Sequence, residues 1–317
     1  MRRSDLAAAA AAAIAVAAAV VLPSPALAYC RTSVCPATAT RPAETAAVCA
    51  PAQPNDCGIP LVWPSPCVGY SIQEDASAQI SLAETEAIFE QAFAAWTQAD
   101  CGDGRTPRME VTYMGPVACD AHEYNQKKGN ANIITFRDDG WPYERGESTL
   151  ALTTVTYNLK TGDIYDADME INSFHVADLS LGDEDVASDL LSIATHEAGH
   201  FLGLSHSADR HATMFADYEP GSVELRDLED DDVAAICAVY PPGAPFKACD
   251  PTPRHGFSAL CAADQPDVAA SGGCAAAPAA GGRSAGLLLA ALALVGVSAR
   301  ARRDAAARRG RGETRAR

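Results

Sequence analysis

A stretch near the middle of the chain constrains the fold more than any other feature. It reads Thr195-His196-Glu197-Ala198-Gly199-His200-Phe201-Leu202-Gly203-Leu204-Ser205-His206. Two histidines four residues apart on a helix lie on the same face, so both imidazoles can reach one metal ion. Gly203 can adopt a backbone conformation that ends the helix and turns the chain, which would bring His206 back as a third ligand. The stretch therefore predicts a helix that ends at a zinc site.

The residue between the two helical histidines indicates what such a site would do. Glu197 lies beside the metal without needing to bind it, and its carboxylate can take a proton from a metal-bound water. Three protein ligands leave the fourth position to water, which is typical of a catalytic zinc. We therefore expect His196, His200 and His206 to bind Zn²⁺ and Glu197 to be the catalytic base.

The N-terminal 28 residues are typical of a secretory signal peptide. Two arginines precede an Ala/Val-rich run, and Ala26-Leu27-Ala28 is typical of a cleavage site. An uncleaved membrane helix is the alternative, although two prolines interrupt the run before that site. Behind a signal peptide, eleven cysteines indicate a disulfide framework in a secreted or surface protein, with a pairing that the sequence does not fix.

The charge of the chain excludes one class of partner. The formal net charge is −17, and nine arginines follow Cys274, so the remainder is more acidic still. Such a surface repels nucleic acid phosphates and anionic lipid. We expect a protein or peptide substrate, no nucleic acid, and membrane contact only through the C-terminal tail.

The segments between these features predict one domain of ordinary size. Residues 29–60 form a Cys- and Pro-rich strap in which we expect little regular structure, 61–242 the domain, 243–273 a Cys-containing linker, and 274–317 a tail. Within the domain we predict strands at 67–72, 109–114, 132–136, 149–157 and 164–171, and helices at 82–99, 190–204 and 228–240. Strands and helices are segregated, so the predicted class is α+β.

The zinc stretch and the residues after it resemble the metzincins, and within them the matrixins. His206-Ser207 is followed by Ala212-Thr213-Met214-Phe215, at the spacing of that group's methionine turn. The resemblance covers roughly residues 60–242. It implies a twisted, mostly parallel five-stranded sheet with an active-site helix and a C-terminal helix, Met214 below the zinc ligands, and an edge strand near 149–157 that pairs with an extended peptide. It also implies that Tyr218 helps to wall the pocket for the residue after the scissile bond.

One departure from the resemblance concerns a second metal. Vertebrate matrixins carry histidines for a structural zinc in the stretch that matches 163–170, where this chain has none. Asp166, Asp168 and Glu170 stand there instead and could hold Ca²⁺, which prefers oxygen ligands. A solvated acidic strand is the alternative.

Another departure concerns Cys57. The run Asn55-Asp56-Cys57-Gly58-Ile59-Pro60 resembles the matrixin cysteine switch, but it lacks the Pro-Arg that precedes that cysteine. We predict a disulfide at Cys57 rather than a thiolate that occupies the zinc.

The C-terminal tail carries a cysteine, a short apolar run and an arginine cluster, in that order. This order resembles the MYXO-CTERM type of bacterial sorting tail, which implies cleavage near Cys274 and surface anchoring. An uncut single-pass anchor is the alternative.

The whole pattern predicts a secreted or surface-anchored zinc endopeptidase. Two rivals share its fold: a non-catalytic zinc-binding adhesin and a processing factor with one substrate. Glu197 argues against the adhesin, because a binding protein does not need that carboxylate.

Overall fold

The structure, a computed structural model, describes residues 28–35, 44–50, 52, 58–143, 146–176, 178–243 and 248–266. The strands are β1 (Cys30–Cys35), β2 (Glu44–Cys49), β3 (Ile59–Pro60), β4 (Cys67–Gln73), β5 (Glu110–Val117), β6 (Ile133–Phe136), β7 (Ala151–Tyr157), β8 (Ile164–Ile171), β9 (Leu179–Ser180), β10 (Ser188–Asp189) and β11 (Leu204–Ser205). The α-helices are α1 (Leu82–Thr97), α2 (Leu190–Phe201) and α3 (Asp230–Val239). The predicted signal peptide, Cys57 and Cys274 with its tail lie outside the described residues, except that Ala28 is described.

Five strands form the central sheet in the order β5-β4-β6-β8-β7. Neighbouring strands are parallel except β7, which pairs antiparallel with β8 from Ala151↔Ile171 onward. The sheet is therefore mostly parallel, and β7 is the edge strand, as predicted. The strands of this sheet and the three helices begin and end within a few residues of the predicted bounds, and their content is consistent with the predicted α+β class.

Two helices pack together on the sheet because their apolar faces carry aromatic side chains. A capping box of Ser81 and Glu84 begins α1. Further along α1, the buried Trp96 donates its indole N–H to the carbonyl of Thr195 in α2, at 2.7 Å. This hydrogen bond and the ring contact between Phe93 and Phe201, with centroids 5.1 Å apart, fix the position of α2 relative to α1.

The N-terminal strap has more regular structure than predicted. β1 and β2 form an antiparallel two-stranded ribbon, which pairs through β1 with β3 and with β11. The Cys30–Cys49 disulfide joins directly opposed residues of the two strands. We call this unit, residues 30–35 and 44–49, the disulfide ribbon. The prediction of little regular structure is wrong here, because long-range pairing rather than local pattern stabilises these strands.

Three further disulfides join distant parts of the domain. Cys101 pairs with Cys237 of α3, at a sequence separation of 136. Cys67–Cys249 and Cys119–Cys261 attach the segment 248–266 to the central sheet. Cys35 is also disulfide-bonded. In the described part of the chain, none of the helices has the length and hydrophobicity required to cross a bilayer.

Candidate metal centre and active site

The structure brings His196, His200 and His206 together as predicted. Their ring centroids lie 4.8–5.2 Å apart in pairs, and one nitrogen from each ring lies within 4.8 Å of the others. His196 and His200 come from one face of α2, while His206 follows the turn at Gly203. Gly203 has φ +92°, and a Cβ there would lie 2.8 Å from the carbonyl oxygen of Leu61. The turn therefore requires glycine.

The nitrogens that face away from this cluster are held by the backbone. Nδ1 of His196 lies 2.7 Å from the carbonyl oxygen of Thr213, and Nδ1 of His200 lies 3.0 Å from that of Leu204. A carbonyl oxygen only accepts, so each Nδ1 carries the proton and each Nε2 presents its lone pair to the cluster. Carbonyl partners of this kind fix both the tautomer and the ring orientation of a metal-binding histidine.

The charge state of the rings also suits a metal ion. Burial, and then the electrostatic effect of the neighbouring His200, lower the pKa of His196 to about 3, and the same two causes lower that of His206 to about 4. Both rings are therefore neutral near pH 7.

The spacing of the donor nitrogens fits Zn²⁺. Tetrahedral Zn²⁺ with Zn–N bonds of about 2.0–2.1 Å separates two donor nitrogens by about 3.3 Å, and Nε2 of His200 and His206 are 3.2 Å apart. The two other groups of potential ligands that the described residues bring this close each contain a disulfide-bonded cysteine pair.

Met214 packs against α2 at Gly199, the residue before His200. It is buried, and a Cβ on Gly199 would collide with its sulfur and with Trp96. Asp232 of α3 holds this turn, since its carboxylate accepts from the backbone N–H of Thr213 at 2.6 Å and of Met214 at 3.1 Å. The turn that supplies the carbonyl partner of the first histidine is thus fastened to α3.

Glu197 is almost fully buried but lines the cavity that contains the histidines. Thr153 of β7 donates its hydroxyl to Oε2 of Glu197, at 2.5 Å. Burial raises the pKa of Glu197, while the electrostatic effect of the neighbouring His200 and the Thr153 hydrogen bond oppose that shift. The carboxylate is therefore held in one orientation beside the histidines, with a hydrogen bond to its ionised form.

The cavity has a volume of about 850 Å³ and runs along α2. β7 forms one side of it through residues that include Ala151, Thr153 and Val155. Tyr218 lines the cavity and is held at the start of α2, where its hydroxyl accepts from the N–H of Asp189 at 2.9 Å and donates to the carbonyl of Ser222 at 2.8 Å.

An arginine missed by sequence reasoning braces the Tyr218 end. Arg226 forms two hydrogen bonds with the buried carboxylate of Asp189, at 2.6 and 2.8 Å, and a third with Asp183 at 2.5 Å. Asp189 also caps α2 by accepting from the N–H of Ser192. A single carboxylate thus joins the helix that carries the histidines to the loop that carries Tyr218.

The acidic row on β8 is buried rather than solvated. Asp166, Asp168 and Glu170 alternate along the strand and share one face, and each is at most 3% exposed. Unlike the histidines, they do not form one of the close groups of potential ligands among the described residues. Glu170 instead forms a salt bridge with Arg137, at 2.5 Å, and accepts a hydrogen bond from Tyr143.

The other two members of the row differ from each other. Asp168 accepts backbone N–H bonds from Ile133, at 2.7 Å, and from Glu123, at 3.0 Å. Asp166 has one buried carboxylate oxygen without a hydrogen-bond partner. Burial raises the pKa of both aspartates. A hydrogen bond with Asp168 opposes the rise at Asp166, whereas the charge of Asp166 raises the pKa of Asp168 further. Calcium binding at this row stays a prediction.

The comparison with known proteins agrees with this geometry. The chain matches the matrixin family over residues 62–241. It is 28% identical to Matrix metalloproteinase-C of Caenorhabditis elegans over 187 residues, which are 57% of this chain and 29% of that protein. It is 46% identical to Metalloendoproteinase 1-MMP of Arabidopsis thaliana over 61 residues, 19% of this chain and 16% of the relative.

A bacterial relative aligns over a comparable length. Karilysin of Tannerella forsythia is 26% identical over 195 residues, 60% of this chain and 35% of that protein. The chain thus spans at most 35% of the length of each of these three relatives. The family match covers more than half of the chain and includes all three histidines, Glu197 and Met214. The chain belongs to the matrixin family, whose members are metallopeptidases that use zinc in catalysis.

Proposed function

We propose that this chain is an exported zinc endopeptidase with His196, His200 and His206 as ligands and Glu197 as general base. The observation that carries the proposal is the position of Glu197, which lies between two converging histidines and opens onto the cavity with one oxygen held by Thr153. A bound Zn²⁺ would polarise the scissile carbonyl and lower the pKa of a water molecule.

The side chains of the protein then perform the proton transfers. Glu197 accepts the proton of the attacking water at its carboxylate and passes it to the nitrogen of the leaving amine. The hydroxyl of Thr153 keeps the carboxylate oriented during both transfers. The peptide lies extended along the free edge of β7 and pairs with its backbone. Tyr218 walls the pocket for the residue after the scissile bond.

Export follows from the N-terminal signal and suits the disulfides. Such disulfides persist in oxidising compartments outside the cytosol. We infer that the protein works outside the cell and that its tail from Cys274 onward sorts it to the cell surface. Intact-mass measurement of the native protein tests this, since recovery of residues 305–317 in the mature form would reject processing of the tail.

The experiment that tests catalysis is a peptide-library digest with and without a zinc chelator. Cuts that vanish with the chelator and return with added Zn²⁺ are expected. His200→Ala should abolish both zinc content, measured by metal analysis, and cleavage. A chelator-insensitive digest, or a His200→Ala protein with full zinc content, would contradict the assignment.

A further inference from the structure

The disulfide ribbon is attached to the segment that joins two of the histidines. Between His200 and His206, β11 pairs antiparallel with β1, with Leu204 opposite Arg31. Thr32 donates its N–H to the carbonyl of Gly203 at 3.2 Å and its hydroxyl to that of Leu204 at 3.1 Å. The carbonyl of Leu204 is also the partner of Nδ1 of His200. The ribbon is therefore held in a fixed position beside the metal ligands.

One face of the ribbon is turned toward the cavity. Thr32 is directly opposite Ala47, and opposed residues of an antiparallel pair share a face. Thr45 lies two residues before Ala47 on the same strand and so shares that face too. Thr32 and Thr45 both line the cavity that contains Glu197, and Thr45 is exposed. The ribbon is thus a wall of the catalytic cleft.

The ribbon and Tyr218 lie at opposite ends of α2. Tyr218 is bonded to Asp189 at the start of the helix, and Thr32 is bonded to Gly203 just beyond its end. A helix of 12 residues is about 18 Å long. An extended peptide rises about 3.3 Å per residue, so roughly five residues span that distance.

The direction of a bound peptide follows from this arrangement. The turn after β7 contacts β3 through Gly162 and Pro60, and Pro60 pairs with Ser33 of the ribbon. The C-terminal end of β7 is therefore near the ribbon. A peptide that places its residue after the scissile bond against Tyr218 runs antiparallel to β7 and begins at the ribbon.

We propose that Thr45 is a specificity-determining residue that contacts the substrate residues before the scissile bond. This inference rests on the proposed function, because Tyr218 fixes which end of the cleft follows the cut. The subsite is formed by the N-terminal ribbon, a part of the chain outside residues 62–241 that match the family.

A charge swap at Thr45 tests the proposal on the full secreted protein. Thr45→Arg and Thr45→Glu are assayed on two peptides that differ only in an Arg or a Glu placed three residues before the cut. We expect Thr45→Arg to favour the Glu peptide and Thr45→Glu the Arg peptide. Each kcat/KM should change about threefold to fivefold, mainly through KM, as expected for exposed charge pairs.

Two controls separate contact from a general field. Thr106→Arg and Thr106→Glu place the same charges on an exposed residue outside the cavity. A truncated peptide that begins with the residue immediately before the cut removes the proposed contact. The Thr106 variants should show no swap, and the Thr45 variants should cleave the truncated peptide with the kcat/KM of the wild type.

Each outcome decides between the two proposals. If the wild-type protein cleaves the peptides but the Thr45 variants show no swap, or the Thr106 variants show an equal one, the inference is wrong and the proposed function stands. If the wild-type protein cleaves no peptide with zinc supplied, the proposed function fails and the inference fails with it.

Discussion

Among the residues that the structure describes, one row of potential ligands lies on α2 and just after it and another on β8, and of these two rows only the first converges. Helical spacing and the turn at Gly203 direct the donor nitrogens of three histidines to one point within 4.8 Å. Strand spacing places Asp166, Asp168 and Glu170 side by side, and neighbours on one face of a strand are about 6–7 Å apart. The surroundings of the three carboxylates differ. Asp166 has one oxygen without a hydrogen-bond partner, Asp168 accepts from backbone N–H groups, and Glu170 forms a salt bridge with Arg137.

The difference shows that a regular row of metal-binding side chains needs a turn or a second element to become a site. The histidine row has the turn and a cavity. The acidic row has buried partners that compete for its oxygens. Mutations in the two rows should therefore change different properties. Those in the histidine row should lower activity, and those in the acidic row should change stability.

The largest effect is expected at the histidine row. Glu197→Gln removes the proton acceptor while it keeps the shape of the side chain, so kcat/KM should fall by at least about 10³-fold with zinc content unchanged. Steady-state kinetics and metal analysis of the same sample measure both. Glu90→Gln, on the exposed side of α1, is the matched control. Full activity in Glu197→Gln would remove the assigned role.

The next effect is expected at the acidic row and should appear in stability alone. Arg137→Met leaves Glu170 as a buried charge without its cation, which costs about 3 kcal/mol of unfolding free energy. Urea unfolding followed by tryptophan fluorescence measures it. Arg105→Met breaks an exposed pair with Asp103 and should cost less than about 0.5 kcal/mol. Equal losses in the two variants would show that the Glu170 pair is not buried in solution.

A smaller effect, on kcat, is expected for Thr153 in the cleft. Thr153→Val removes the hydroxyl that orients Glu197, and kcat should fall about tenfold with KM nearly unchanged. Thr156→Val is the matched control, because Thr156 lies on the same strand but does not line the cavity. A Thr153→Val enzyme with normal kcat would show that Glu197 needs no partner on β7.

The smallest effect concerns Asp166 and its dependence on pH. Because its folded-state pKa is raised, the folded protein binds more protons than the unfolded one above about pH 4, so this carboxyl lowers stability as pH rises. Asp166→Asn should raise the unfolding free energy by about 1 kcal/mol at pH 8 and have less effect at pH 5. Thermal unfolding at the two pH values measures this, with the exposed Asp139→Asn as control.

The same thermal unfolding experiment, repeated with added Ca²⁺, tests calcium binding at the acidic row. If the row binds Ca²⁺, the added ion should raise the melting temperature of the wild type and not of Asp166→Asn. A melting temperature of the wild type that does not respond to Ca²⁺ would remove the calcium prediction.

The predictable parts of the site are those encoded by local spacing. The helix, its end at Gly203 and the three histidines all lie within residues 190–206, so periodicity and one glycine suffice to predict them. Met214 required a resemblance to a known family. Thr153 could not be predicted as the partner of Glu197, because it reaches the carboxylate from a strand 44 residues earlier in the chain. Asp189 and Arg226 meet across 37 residues, and no local pattern marks them as a pair.

The fold shows the same division. The central strands and helices have clear periodicity, and the edge strand that the family resemblance implies near 149–157 is observed as β7. The disulfide ribbon has no such periodicity, and its strands are instead paired with each other, with β3 and with β11, which is distant in sequence. The disulfide pairing likewise could not be predicted, because it depends on which cysteines the folded chain brings together.

The two disulfides that attach the segment 248–266 also determine how the domain would carry mechanical load. Tension applied to the chain beyond residue 266 first reaches Cys261 and passes through a covalent bond to Cys119, just after β5. The second disulfide, between Cys249 and Cys67, transmits the remaining force to the first residue of β4. β4 is the direct neighbour of β5 in the sheet. The force is therefore borne by two parallel strands on the β5 side of the sheet, while the edge strand β7 and the cleft lie outside the path. We expect a domain pulled by its C-terminal end to keep its metal ligands in place. Without the two disulfides, the same force would act on α3 and separate it from the methionine turn.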